Sequence, residues 1–219
     1  MAANFEKMIT MDPSGFVVLA DYVPGIIQEI RYYSTYNFIG ERIDGYEEPV
    51  ALLTKEAARA LKAASNEMNV FGYRLKIFDA YRPANAVRQF VLWGIEDTDV
   101  RMKPYFYPDL EKQELFSGGY IAKKSSHSRG SAVDLTLLDM KTGKELDMGG
   151  PFDFFSELSH PDYRGITDEQ FENRMLLQNV MKRNGFLPID CEWWHFMLAD
   201  EPWPDTYFEF PVSAAYLKR

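Results

Sequence analysis

The stretch Ser125-Ser126-His127-Ser128-Arg129-Gly130-Ser131-Ala132-Val133-Asp134 sets a histidine and an aspartate seven positions apart, with a glycine between them and an apolar run behind. The chain has only three histidines, so each is informative. A second, His195, closes the segment Cys191-Glu192-Trp193-Trp194-His195. Two imidazoles, an aspartate and a glutamate are the parts of a mononuclear zinc hydrolase: three ligands, an open coordination position and a carboxylate that moves protons.

Each of these residues also has a plain reading. A histidine near a strand is often structural, and an aspartate in a strand can be an edge residue. Joined, they weigh differently. An aspartate at the mouth of an apolar strand is costly to bury unless its charge is compensated, and Zn²⁺ would compensate it. Glu192 lies in the most aromatic tract of the chain, where apolar surroundings raise a carboxyl pKa as a proton-shuttling base requires. Residues three apart in a flat strand face opposite sides. Glu192 must therefore stand in a loop or turn before the strand if it and His195 are to reach one metal.

The rest of the chain must bring the two segments together. Thr54 to Asn69 reads as a helix, with Thr54 as cap and Ala57, Leu61, Ala64 and Met68 as its apolar stripe. Tyr73 to Asp79 reads as a strand. Ala80-Tyr81-Arg82-Pro83 follows, with Pro83 in the first turn of a helix through about Trp93 that turns Val87, Phe90 and Val91 inward. Arg82 then stands at a strand-to-helix corner, where salt-bridging and functional arginines both occur. Ala132 to Leu138 is strand-like, with Asp134 on the face of Ala132 and Thr136, and Val133, Leu135 and Leu137 towards the core.

Thr167 to Asn184 is the strongest helix. Thr167 and Gln170 make a capping box, Phe171, Met175, Leu176 and Val180 are its apolar residues, and Gly185 marks the stop. Trp193 to Leu198 reads as the last core strand, and Phe16 to Ala20 as an early one. Ile26 to Phe38 has strand composition, 1–15 is an irregular lead-in, 94–122 is interrupted by Pro and Gly, and Gly149 to Phe155 is a turn entering an aromatic loop. Without a regular βαβ period, the pattern predicts an α+β fold: a mostly antiparallel central sheet flanked by helices, in one domain over 1–219.

A net charge of −9, from 24 basic and 33 acidic residues, argues against nucleic acid or anionic membrane as the main partner. Lys123, Lys124 and Arg129 flank the first motif and could form a positive rim for an anionic substrate group. One cysteine, Cys191, excludes an intramolecular disulfide framework and suits a reducing compartment; beside Glu192 it reads as a small buried residue. Met1 to Met11 shows no signal-peptide pattern. The expected location is cytoplasmic, or periplasmic if a leader has been trimmed.

The motifs resemble those of the VanX-type D-alanyl-D-alanine dipeptidases, among the zinc D,D-peptidases related to the hedgehog signalling domain. The resemblance rests on Ser125 to Thr136, on Asp79-Ala80-Tyr81-Arg82-Pro83, on Pro151-Phe152-Asp153-Phe154 and on Glu192-Trp193-Trp194-His195, in family order from about Tyr32 to His195. The His-x6-Asp and Glu-x2-His pattern marks the wider group; the serine-rich loop and Phe-Asp-Phe segment point to the dipeptidase branch.

By that resemblance one Zn²⁺ per chain would be held by His127, Asp134 and His195. Glu192 would deprotonate the attacking water and later protonate the leaving amine, and Arg82 would stabilise the oxyanion. Asp153 would bind the substrate's free α-amino group, which restricts the enzyme to dipeptides. Tyr32 would assist it, with Tyr33 one register away. Tyr46 and Ser125 match residues near the catalytic oxygen and the substrate's C-terminal carboxylate. His160, before Pro161, is taken as structural.

The implied reaction is hydrolysis of D-Ala-D-Ala, for precursor depletion in glycopeptide resistance or for recycling of wall dipeptide. Rival readings are a D,D-carboxypeptidase or endopeptidase on longer peptidoglycan stems, and a non-catalytic zinc-containing binding domain. Residues 204–219 receive no role.

Overall fold

The computed structural model describes residues 9–96 and 98–218, so residues 1–8 of the expected lead-in lie outside it. Among the described residues nine strands form three sheets: β1 (Ile9–Thr10), β2 (Phe16–Val18), β3 (Ile27–Gln28), β4 (Leu52–Thr54), β5 (Tyr73–Asp79), β6 (Ala132–Asp139), β7 (Phe186–Pro188), β8 (His195–Leu198) and β9 (Tyr207–Phe208). The main sheet has order β3-β5-β6-β8-β7. Only its β3–β5 edge is parallel; the other pairings are antiparallel. β1 pairs with β9, and β2 with β4. The fold is α+β, as the sequence pattern predicts.

Local chemistry explains the long elements. Helix α1 (Lys55–Val70) starts where the Thr54 side chain accepts a hydrogen bond from the Ala57 N–H, and it buries the expected Ala57, Leu61, Ala64 and Met68. Helix α2 (Ala84–Ile95) begins one residue later than expected, because Pro83 has an extended ψ of 148° and serves as the cap. Its inward residues include Val87, Phe90 and Trp93, whereas Val91 is half-buried. Helix α3 (Asp168–Arg183) carries the Thr167/Gln170 capping box and ends before Gly185, whose φ is 87°. α1 packs on β5 and against α3, and α3 also packs on β7.

Several expectations are corrected. The buried face of α3 runs through Arg174, Leu177, Val180 and Met181 rather than Phe171, Met175 and Leu176. Arg174 can be buried because its guanidinium donates to the backbone carbonyls of Met148, His160 and Leu158 at 2.6, 2.8 and 2.9 Å. Strand β2 stops at Val18, and Leu19–Tyr22 is a helical turn. Within Ile26–Phe38 only Ile27 and Gln28 pair; Arg31–Tyr33 is a 3₁₀ turn that buries Tyr32. β8 begins at His195, because Trp193 and Trp194 form a turn.

The core is a continuous cluster rich in aromatic rings, including the fully buried Trp194, Phe78, Phe196 and Phe210. Burying each such ring contributes roughly 1.5–3 kcal/mol. β6 lies at the centre with both faces covered: Ala132, Val133, Asp134, Leu135, Thr136 and Leu137 are all buried. No helix among the described residues is long and apolar enough to cross a membrane.

Candidate active site

The register of the main sheet brings the two histidine segments together. Asp134 on β6 stands opposite His195 on β8 and, beyond an irregularity between Ile77 and Asp79, opposite Asp79 on β5. Three side chains thus converge from adjacent strands at one end of the sheet. His127 joins them from a 3₁₀ turn, Ser126–Arg129, capped by the Ser125 hydroxyl, which accepts from the His127 N–H at 3.2 Å. Gly130 closes the turn at φ 76°, where a Cβ would lie 2.2 Å from the Phe16 ring, so only glycine fits. The turn is tied to the β5–α2 corner twice. The His127 Nδ1–H donates to the Ala80 carbonyl at 2.6 Å, and the Arg82 N–H donates to the His127 carbonyl at 3.3 Å.

These hydrogen bonds decide what the imidazoles can do. With the Nδ1 proton of His127 on Ala80, its Nε2 is an acceptor. The Nε2 of His195 lies 3.2 Å from the Ser126 hydroxyl, which leaves Nδ1 facing inward. His127 Nε2 and His195 Nδ1 are 3.1 Å apart, and the Asp134 oxygens lie 2.9 Å from His195 Nδ1 and 3.2 Å from His127 Nε2. Buried groups this close need a proton or a metal cation between them. Ligands bonded to one tetrahedral zinc at about 2.0–2.1 Å stand about 3.3 Å apart, close to these separations. The group therefore fits a metal ion. Electrostatics agree. Burial holds His195 below its ordinary pKa, in the neutral ligand form, and the neighbouring histidines hold Asp134 well below the usual carboxylate range despite its burial.

Glu192 occupies the irregular segment just before the Trp193-Trp194 turn, so the flat-strand conflict does not arise. Its Oε2 lies 3.9 Å from His195 Nδ1. Burial, with Asp134 and Asp153 adding repulsion, pushes its carboxyl well above the ordinary range. Arg82 projects from the β5–α2 corner with its Nη2 3.6 Å from Asp134 Oδ2, while its Nε and Nη2 each donate to Asp79 Oδ2 at 2.9 Å. Its guanidinium lies 4.8 Å from the centre of the Tyr32 ring and 5.1 Å from that of Phe90.

Asp153 is reached by a non-glycine backbone at φ 60°, a left-handed conformation that costs on the order of 1–3 kcal/mol. Its carboxylate accepts from the Tyr32 hydroxyl at 2.9 Å. Burial, reinforced by Asp134, pushes its pKa up to about 8. The neighbouring Tyr33 instead lies under the Arg42 guanidinium. These groups line a cleft of about 290 Å³ together with Ser125, Lys124 and Arg129.

Other expected residues fall elsewhere. Tyr46 does not line the cleft: it is fully buried and gives its hydroxyl to Asp79 Oδ1 at 2.7 Å. It reaches the chemistry only through Asp79 and Arg82. Lys123 is off the cleft wall, and Arg129 is paired with Glu201 at 2.8 Å, so the positive rim is narrower than expected. Cys191 is half-buried and lies outside the metal group. His160 is also outside it, 3.2 Å from the Tyr120 hydroxyl.

Residues the sequence reading left without roles complete the support. Asp79 appears in the quoted motif, and its position opposite Asp134 is what holds Arg82. The tail beyond residue 204 forms β9 and stacks Phe210 on Tyr81, with ring centres 4.4 Å apart; the Tyr81 hydroxyl donates to the Phe210 carbonyl. No local motif announces that contact, because it joins residues 129 positions apart.

Residues 12–213 match the family described as D-ala-D-ala dipeptidase. The chain belongs to the D-Ala-D-Ala dipeptidase family, a family of metallopeptidases. The D-alanyl-D-alanine dipeptidase of Enterococcus faecalis is 42% identical over 91% of this chain and 99% of its own. That of Streptomyces coelicolor is 39% identical over 90% and 98%. A solved LD-carboxypeptidase, LdcB, aligns over 88% of this chain and 72% of its own with 18% identity and a TM-score of 0.46.

Proposed function

We infer that the protein is a zinc-dependent dipeptidase that hydrolyses D-Ala-D-Ala to two molecules of D-alanine. The observation that carries this reading is the set of three buried acceptors on His127, Asp134 and His195, with a raised-pKa glutamate beside it and a buried aspartate in the same small cleft. His127 Nε2, an Asp134 oxygen and His195 Nδ1 would hold one Zn²⁺. When bound, the metal supplies Lewis acidity to the carbonyl and lowers the pKa of water.

The chain's own groups divide the remaining work. Glu192 accepts a proton from the attacking water and returns it to the departing amine nitrogen as the amide C–N bond breaks. Arg82, held by Asp79, directs a permanent positive charge at the developing oxyanion. Asp153, oriented by Tyr32, holds the substrate's α-ammonium. The Ser125 hydroxyl, which accepts from His127 N–H, keeps its own proton to donate to the substrate carboxylate. At about 290 Å³ the cleft sits at the lower end of the roughly 300–1,000 Å³ found for ligand sites, which suits a dipeptide. A cytoplasmic location is part of the reading, supported by the lone thiol of Cys191.

The test is D-alanine release from D-Ala-D-Ala, with and without a chelator and zinc add-back, beside a tripeptide and a pentapeptide ending in D-Ala-D-Ala. Turnover of the dipeptide alone, abolished by chelator and restored by zinc, is expected. Equal cleavage of the longer peptides would move the protein to the carboxypeptidase class. Bound zinc with no turnover of any of them would leave a binding domain.

A further inference from the structure

The cleft wall at Phe155, two residues along the chain from Asp153, is shared with a second pocket. This second cavity of about 580 Å³ is lined in part by Asp109, Glu114 and Glu157. The two share only the side chains of Tyr120 and Phe155. The partition starts at the aspartate that we assign to the substrate's ammonium. Tyr32, bonded to Asp153, packs on Phe38 with ring centres 6.1 Å apart; Phe38 packs on Phe155 at 5.2 Å, and Phe155 on Tyr120 at 5.3 Å.

The two rings of the partition are not held alike. Phe155 is 2% exposed, belongs to the core and has its N–H bonded to the Phe106 carbonyl at 2.7 Å. Tyr120 is half-buried and rises from a glycine pair. Gly119 takes φ 81°, and a Cβ on Gly118 would meet the Tyr120 ring at 2.9 Å, so both glycines are needed for the ring to fold over. Its hydroxyl is anchored 3.2 Å from His160 Nε2 across the second cavity. Tyr120 is thus a removable panel in an otherwise fixed wall.

Resting on the dipeptidase reading above, we propose that Tyr120 is the chain-length determinant of this enzyme: its ring closes the amino end of the cleft against peptides extended beyond the α-nitrogen. Without the ring, the cleft opens into a cavity whose acidic lining suits the ammonium of a longer peptide. The reaction is the same hydrolysis, one water consumed per amide cleaved, and only the permitted length of the amine-side chain changes.

The experiment compares kcat/KM for D-Ala-D-Ala with that for a lysyl-D-Ala-D-Ala tripeptide in the zinc-loaded wild type and in Tyr120→Ala, Tyr120→Leu and Tyr120→Phe. The tripeptide-to-dipeptide ratio should rise about tenfold or more in the alanine and leucine variants. It should stay at the wild-type value in Tyr120→Phe, which keeps the ring and loses only the His160 contact. Tyr120→Leu preserves apolar bulk on Phe155 and carries the test if the alanine variant does not fold. An unchanged ratio in a zinc-loaded, dipeptide-cleaving leucine or alanine variant overturns the proposal, as does a ratio that rises equally in Tyr120→Phe. Failure of the underlying dipeptidase reading shows separately, as tripeptide cleavage by the wild type.

Discussion

Asp134 and His195 face each other across the β6–β8 antiparallel pair, with Oδ1 and Nδ1 2.9 Å apart, although 61 residues separate them in the chain. The alignment follows from strand register, since slipping either strand by one residue would turn its side chain to the opposite face. A donor set fixed in this way is ordered before any metal arrives.

Metal removal should therefore destabilise the protein without dismantling it. Stripped of its cation, the cluster has only a proton shared between Asp134 Oδ1 and His195 Nδ1, 2.9 Å apart, to hold its three groups together. Zinc at a thousandfold excess over its Kd should add about 4 kcal/mol. Calorimetry of chelated and zinc-loaded protein should show a clear rise in Tm with zinc, and Asp134→Asn should lose most of that rise. A Tm insensitive to zinc would count against the site.

Glu192→Gln keeps the shape of the side chain and removes its capacity to carry a proton. Zinc stoichiometry by elemental analysis should stay at the wild-type level while kcat falls by roughly 10²–10⁴. Loss of zinc in parallel with activity would make Glu192 a ligand instead of a base.

Asp153 combines a functional demand with a cost in stability. Its pKa is about 8 in the folded protein against an ordinary 3.8. Between those values the folded state binds a proton that the unfolded chain has released. The stabilisation from that proton is complete below about pH 4 and is lost as the pH rises through 8. Metal-free Asp153→Asn should thus gain stability over wild type as the pH rises from 4 to 8, on the order of a few kcal/mol. Its kcat/KM for the dipeptide should fall by at least about 30-fold, as expected when a buried charge pair loses a partner. Urea midpoints across that pH range are the measurement, and a difference that does not change with pH would refute the assignment.

Arg82 should depend on partners that never touch substrate. Asp79→Asn and Tyr46→Phe loosen the guanidinium's anchor and leave every ligand atom in place. About 10–100-fold should be lost in kcat, less for Tyr46→Phe, with zinc affinity by chelator competition unchanged. A loss confined to KM would move Arg82 from the transition state to ground-state binding.

Legibility in the sequence followed the range of the forces involved. The Thr54 and Thr167 caps, the stripe of α1 and the strand β5 rest on interactions within a few residues and could be read directly. The convergence of His127 and Asp134 was legible because a histidine and an aspartate in an apolar setting demand compensation. Arg174 was not: a charged residue on a helix reads as exposed, and its three carbonyl acceptors lie on a loop 14 to 26 residues away. Ile26–Phe38 has strand composition, yet Tyr32, Phe38 and Arg31 are committed to the site and the core, and tertiary contact overrides propensity. Tyr46 was legible as important but not as supporting, because nothing local distinguishes a hydroxyl aimed at substrate from one aimed at Asp79.

The tail that stacks Phe210 under Tyr81 has a consequence for how the molecule comes into being. A ribosome emits the chain in one direction. His127 and Asp134 therefore emerge long before His195, and the support beneath the Arg82 corner arrives later still, with β9. Over the 61 positions between Asp134 and His195 the nascent polypeptide carries an incomplete cluster, and the segment from His195 to Phe210 supplies the second imidazole and then the ring that stacks on Tyr81. Assembly of the cluster thus waits on segments that emerge well after Asp134.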